Sequence, residues 1–253
     1  MLDGEKMNLK RLYKKTFKKG NVCVTGLRGC GKDMLFANIT ARCTKSYISN
    51  VDYQNKSKFD DFMPDSLRIG NTYVNFIEHD CKPFTYPYKQ GVDYYLSDVG
   101  VYFPAQYNGE LNKHYADIPT FMALSRHIAD CNVHINVQNL NRAWDKIREQ
   151  SDTYIRCIKC HVIGKLVIQT IIVYDQYDAC LKRVEPFRPL KAPLLSIGSA
   201  RAMYKVKNEE LLRSFKERNG SVKRYTLIYF NKSNYNTRQF ADMLGVSYEK
   251  END

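Results

Sequence analysis

The chain has 253 residues, room for one large domain or a core of about 150–200 residues with an appendage. With 43% hydrophobic and 26% charged residues the composition is that of a globular protein, which excludes low-complexity and fibrous classes. Its formal charge of +12 favours a polyanionic partner without identifying it, and a solvated basic face is the plainer alternative.

The excess begins at the N-terminus, where Lys6, Lys10, Arg11, Lys14, Lys15, Lys18 and Lys19 face only Asp3 and Glu5. Residues 1–20 read as a basic extension, with no apolar segment of signal-peptide length behind it. Asn21 to Thr25 is a short β-branched run that predicts a buried strand, and Met34 to Arg42 carries the apolar spacing of a helix. Ser46 to Val51 and Thr72 to Ile77 are further strands with a polar loop between them. Asp93 to Asp98 is an aromatic strand ending in an acid, Ile118 to Ala129 a helix with Pro119 in its first turn, and Asn132 to Gln138 an alternating strand. Tyr154 to Ile163 and Lys165 to Tyr174 form a hairpin through Gly164. The longest apolar stretch, Leu166 to Tyr174, is interrupted by Gln169 and Thr170 and falls far short of the roughly 20 residues of a membrane helix. Strands alternating with helices predict a mostly parallel α/β sheet.

A composition shift at Glu185 to Leu190, with Pro193 close behind, marks a linker over 186–200. The last piece, 201–253, carries a helix from Arg201 to Arg218, a strand from Lys223 to Phe230 and a helix from Thr237 to Leu244. It is too small to bury much core alone and is expected to pack on the larger domain or on a neighbour. The tail from Asn236 to Ser247 has the outline of half a helix-turn-helix and is read as a docking helix.

Gly26-Leu27-Arg28-Gly29-Cys30-Gly31-Lys32 fits G-x4-G-K, placed after a strand and opening a helix. Glycines let backbone amides turn inward, and those amides with the helix N-terminus hold phosphate oxygens while Lys32 reaches the β- and γ-phosphates. A chance glycine-rich turn is the alternative. The next residue is Asp33 instead of the usual Ser or Thr. A carboxylate is a good magnesium ligand, but it adds a negative charge beside the triphosphate. With Met34 these residues form the predicted nucleotide-binding loop.

Asp98, at the end of a strand, is the expected Walker B acid and shares the metal with Asp33. Val99 stands where a water-activating glutamate usually follows, and Glu110 is the nearest glutamate downstream. Gln138 ends the next strand, where it could sense the γ-phosphate. Arg126 is the candidate arginine finger toward a neighbouring subunit, with Arg142 and Arg148 as competitors and a structural role open for each. The eight cysteines, with no secretory segment, read as free thiols. Cys157-x2-Cys160-His161, with Cys180 later, has zinc-ligand types but equally suits an alternating strand.

Together these stretches resemble the HerA/FtsK group of DNA-pumping ATPases, and within it the zonular-occludens-toxin-like assembly proteins and the DNA encapsidation proteins of small tailed phages. The loop through Asn38, the segment Ser97-Asp98-Val99-Gly100-Val101-Tyr102-Phe103-Pro104-Ala105-Gln106, and Ser125-Arg126-His127 through Asn139 carry the likeness, which covers residues 20 to 185. It implies an α/β fold, a RecA-like (ASCE) P-loop ATPase core over 21–185 with a small α+β C-terminal appendage. It also implies ATP and Mg2+, a ring of subunits, sequence-independent DNA binding and a capsid portal or other virion component as partner. With no membrane span, packaging is preferred to filamentous-phage export, and the host cytoplasm is the expected location. A P-loop kinase, or a non-hydrolysing nucleotide-binding protein that binds DNA, are the readings from other classes.

Overall fold

The computed structural model describes residues 5–44, 47–49, 72–73, 91–97, 117–142, 145–191 and 198–233. A nine-stranded sheet runs through them in the order β1-β9-β8-β7-β2-β6-β5-β3-β4. These are β1 (Glu5–Met7), β2 (Val22–Thr25), β3 (Ile48–Ser49), β4 (Thr72–Tyr73), β5 (Tyr94–Leu96), β6 (Val133–Val137), β7 (Thr153–Ile163), β8 (Leu166–Tyr174) and β9 (Val222–Phe230). The helices are α1 (Leu9–Lys15), α2 (Lys32–Cys43), α3 (Asp117–Ala129), α4 (Asp145–Arg148), α5 (Tyr177–Leu181) and α6 (Gly198–Asn219).

β2 lies parallel between β6 and β7, and β5 is parallel to both β6 and β3. One strand, β6, therefore separates the loop-bearing β2 from β5. This is the arrangement expected of a RecA-like core. Beyond β7 the pattern changes: β7, β8 and β9 pair antiparallel, and β1 adds to β9 in parallel. Thus the basic N-terminal segment and the chain after residue 200 each extend the one sheet. The strand of the N-terminal segment was not expected from its charge. The strand of the C-terminal piece was expected, and it continues the sheet instead of forming one of its own.

Side-chain alternation sorts the core into two faces. Cys23 and, on β6, Val133, Ile135 and Val137 join a cluster with Tyr154, Ile172 and Tyr174. Val22 and Val24 point the other way, to Leu12, Phe17, Leu35, Phe36, Ile155, Ile171 and Leu227. Phe17 is fully buried, its ring 6.3 Å from Tyr95 and 6.1 Å from Phe36. Truncating such a residue typically costs about 3–5 kcal/mol. Because β2 is covered on both sides, its sequence is a continuous apolar run instead of an alternating one.

Asn21 staples the start of this sheet. Its amide donates to the carbonyls of Met122 and Gln150 at 3.0 and 3.1 Å, and its Oδ1 accepts from Val133 N at 2.8 Å. Its own backbone N–H donates to Asp152 at 2.8 Å. The N-terminal ends of β2, β6 and β7 are thereby fixed, and their C-terminal ends define the opposite rim. The hairpin turns at Gly164, whose φ of 58° is left-handed. Helix α6 begins at Gly198, inside the stretch expected as linker. Leu190 is tied to α6 by paired hydrogen bonds with Asn208 at 2.8 and 3.0 Å. The helix expected over 237–244 lies outside the described residues.

Candidate functional site

The site is built at the C-terminal rim, where β2 gives way to the loop 26–31 and α2. Gly26 passes so close to β7 that a Cβ there would lie 2.5 Å from the Cys157 carbonyl oxygen. Gly31 stands as the N-cap of α2 with φ 87°, a conformation that costs an L side chain about 1–2 kcal/mol. No side chain caps α2. Its first-turn N–H groups therefore keep their donors and the positive end of the helix dipole for an anion.

Lys32 is 5% exposed. Among the described residues its ammonium makes one hydrogen bond, to the Leu27 carbonyl at 3.5 Å, so it folds back over the loop. Arg28 and Leu27 are exposed at the loop's outer turn, and Met34 is half-buried on α2. Asp33 turns toward the sheet. Its Oδ1 accepts from Ser97 Oγ at 2.6 Å and from Asn136 Nδ2 at 2.7 Å, and Asn136 also donates to Ser97 Oγ at 3.0 Å. Alternation on β6 turns Asn136 to the α2 face, opposite the apolar side of Ile135 and Val137.

From behind, β8 supports the loop. Gln169, fully buried, donates from Nε2 to the carbonyls of Gly31 at 2.9 Å and Cys30 at 3.3 Å, and Tyr229 OH donates to its Oε1 at 3.0 Å. Cys157 and Cys160 also lie here, with Cys160 Sγ 2.8 Å from where a Gly31 Cβ would be. A hydrogen bond from Cys157 lowers the Cys30 thiol from its ordinary 9.0 to about 7, against the opposing effect of burial and with help from the Lys32 charge. The Cys157 thiol is correspondingly raised, first by that same bond and then by burial. Cys180 packs in the opposite core cluster, and among the described residues no group of three or more His, Cys, Asp or Glu could hold a metal. The described cysteines are free.

Of the other predicted residues, Gln138 is brought to the loop. It is exposed at the end of β6 and lines a cavity of about 330 Å³ with Gly26, Leu27, Arg156 and Arg183. Arg126 is not. It lies at the other rim, donating to the Lys19 carbonyl and, at 3.2 Å, to Asn132 Oδ1. The length of β2, about 13 Å by strand rise, separates it from its own loop. Arg148 donates to the Leu140 carbonyl at 2.7 Å and stacks over Tyr177 at 5.4 Å, a packing role. Asp98 and Glu110 lie outside the described residues, as does the side chain of Arg142. Ser97, Asn136, Gln169 and Tyr229 were not singled out from sequence; a polar residue inside an otherwise buried strand was the available signal.

No protein-family model and no curated protein matches the chain. Among solved structures it is similar to the N-terminal domain of zonular occludens toxin from Neisseria meningitidis, at 13% identity and a TM-score of 0.40, over 62% of this chain and 83% of that one. It is similar to the genome packaging NTPase B204 from Sulfolobus turreted icosahedral virus 2 in complex with AMP, at 13% identity and a TM-score of 0.39, over 62% and 93%. A third similarity is to a further ATPase domain, at 9% identity and a TM-score of 0.38, over 70% and 90%. The strand order and the loop geometry are those of a RecA-like P-loop fold. No helix among the described residues is long and apolar enough to cross a membrane.

Proposed function

We propose that this chain is an ATP-hydrolysing motor subunit that moves phage DNA into a preformed capsid in the host cytoplasm. Lys32 carries the nucleotide half of this reading. A nearly buried ammonium with one long hydrogen bond is costly unless a counter-charge joins it. The β- and γ-phosphates of ATP supply that charge, and the uncapped amides of α2 face the same anion.

The oxygen donors beside the loop suit a hard divalent cation, so magnesium fits: Asp33 would hold it, with Asp98 the second candidate. When bound, the ion neutralises charge developing on the phosphate oxygens. Lys32 orients the terminal phosphates, and Gln138, at the mouth of the cavity beside Gly26, would position the attacking water. Arg126, at the far rim, could reach a triphosphate only in an adjacent subunit, which is why the reading includes a ring.

The DNA half is supported by the exposed cations of α1 and the turn after it, Lys10, Arg11, Lys14, Lys15, Lys18 and Lys19. Contacts of this kind bind phosphate backbones without regard to sequence and weaken with salt. A capsid portal or other virion component is the proposed docking partner.

The test is ATP hydrolysis against protein concentration, with and without DNA. DNA-stimulated turnover rising more steeply than protein concentration is the expected result, and Lys32→Ala should abolish it. A well-folded protein that takes up no magnesium nucleotide at millimolar ligand would remove the reading.

A further inference from the structure

A P-loop helix ordinarily presents a Ser or Thr hydroxyl to the cation, and the strand across the gap presents a carboxylate. In this chain the helix presents the carboxylate of Asp33 and the strand end presents the hydroxyl of Ser97, and the two are hydrogen bonded at 2.6 Å. Asn136 closes the triangle, 2.7 Å from Asp33 Oδ1 and 3.0 Å from Ser97 Oγ. Ser97 and Asn136 are 1% and 0% exposed, while Asp33 is only half-buried. Both donors meet Oδ1; among the described residues no donor reaches Oδ2.

We propose that this cluster is the divalent-cation pole of the nucleotide site, with the helix and strand halves of the usual pair exchanged. Asp33 is the cation's protein ligand through Oδ2. Ser97 and Asn136 are positioning residues that fix the carboxylate through Oδ1. The proposal rests on the reading of residues 26–33 as a nucleoside triphosphate loop.

Three physical arguments carry it. A buried amide and hydroxyl cost stability in a strand unless they are paired, and here they are spent on one carboxylate oxygen instead of on apolar packing. Two neutral donors hold the carboxylate in one orientation and leave its charge in place, which suits a hard, oxygen-seeking cation at the other oxygen. Near the phosphate-binding amides, that charge repels a metal-free triphosphate. The exchange therefore makes the site select the metal complex of the nucleotide over the free anion, which a neutral Ser or Thr does less strongly.

The test is calorimetric ADP affinity with magnesium and with a chelator, alongside Mn2+ affinity by electron paramagnetic resonance in the presence of ADP. Asp33→Asn keeps an oxygen for Ser97 and Asn136 and replaces Oδ2 with an amide that cannot ligate a cation. It should bind metal-free ADP about tenfold more tightly than the unaltered protein and lose most of the enhancement by magnesium. Ser97→Ala should weaken Mn2+ several-fold, and Ser97→Thr should retain Mn2+ binding near that of the unaltered protein. Full magnesium enhancement in Asp33→Asn would assign the cation to another acid, Asp98 foremost, and overturn the proposal, as would unaltered Mn2+ affinity in Ser97→Ala. If the unaltered protein binds no nucleotide under either condition, it is the reading of the loop that fails.

Discussion

Gln169 Nε2 lies 2.9 Å from the carbonyl oxygen of Gly31, so the middle of β8 holds the last glycine of the phosphate loop from behind. The same side chain accepts from Tyr229 OH at 3.0 Å, linking the loop through β8 to β9. Replacing Gln169 with Leu strands the Tyr229 hydroxyl and the Gly31 carbonyl in the core. About 1–3 kcal/mol of stability should be lost, with a weaker nucleotide affinity. Urea denaturation and nucleotide titration of Gln169→Leu check both; an unchanged denaturation midpoint would refute the support.

Gly31→Ala should be worse tolerated than its size suggests. The backbone there is left-handed, and the new Cβ would stand 2.8 Å from both Cβ and Sγ of Cys160 and 2.9 Å from Gln169 Nε2. The conformational cost alone is about 1–2 kcal/mol, before β7 or the loop moves. The expected outcome is a destabilised protein that has lost nucleotide binding, read by calorimetry. Gly29→Ala meets nothing within 4 Å and should pay only the conformational cost.

The Cys30 thiol, lowered to about 7 by its hydrogen bond from Cys157, gives nucleotide binding a pH dependence. A thiolate inside the phosphate cradle repels the ligand, so the nucleotide prefers the protonated form and its binding raises the Cys30 pKa. Affinity should be highest below pH 7 and fall as pH climbs through about 7. Cys30→Ala should flatten that profile. Parallel profiles for both proteins would show that another group titrates.

His134 is buried between Phe17 and Tyr95, at ring distances of 5.0 and 4.7 Å, and burial lowers its pKa below the ordinary 6.5 in spite of Asp93 nearby. The unfolded chain therefore takes up the proton first as pH falls. The contribution of neutral His134 is complete above pH 6.5 and shrinks as pH drops from there toward its folded pKa, with a slope of at most about 1.4 kcal/mol per pH unit. His134→Phe should remove that slope between pH 7.5 and 5.5 in denaturant midpoints, and persistence of the slope would point to another residue.

The loop was legible because three glycines and a lysine sat between a β-branched run and a helical one, a combination with few other uses. The β7–β8 hairpin was legible from alternation broken at Gly164. Of the cation pole only Asp33 was legible, because Ser97 and Asn136 matter only when β5 and β6 become neighbours beside α2, and no local pattern announces that pairing. The possible zinc set of Cys157, Cys160 and Cys180 divided for a related reason. Strand geometry sends Cys157 toward the loop, while Cys180 on α5 packs into the opposite core. Arg126 shows a further limit: its spacing from the loop in sequence carried no information about which rim of the sheet it would occupy.

Glu5 pairs with Tyr225, and Asn38 in the phosphate-loop helix exchanges hydrogen bonds with Asn231 and Lys232 at 2.9 Å. Contacts this distant along the polypeptide close slowly. During synthesis the loop leaves the ribosome long before β8 and β9 exist to brace it. A nascent chain thus carries the phosphate-loop motif well before it has a finished pocket, and a braced loop has to wait until β9 has been made.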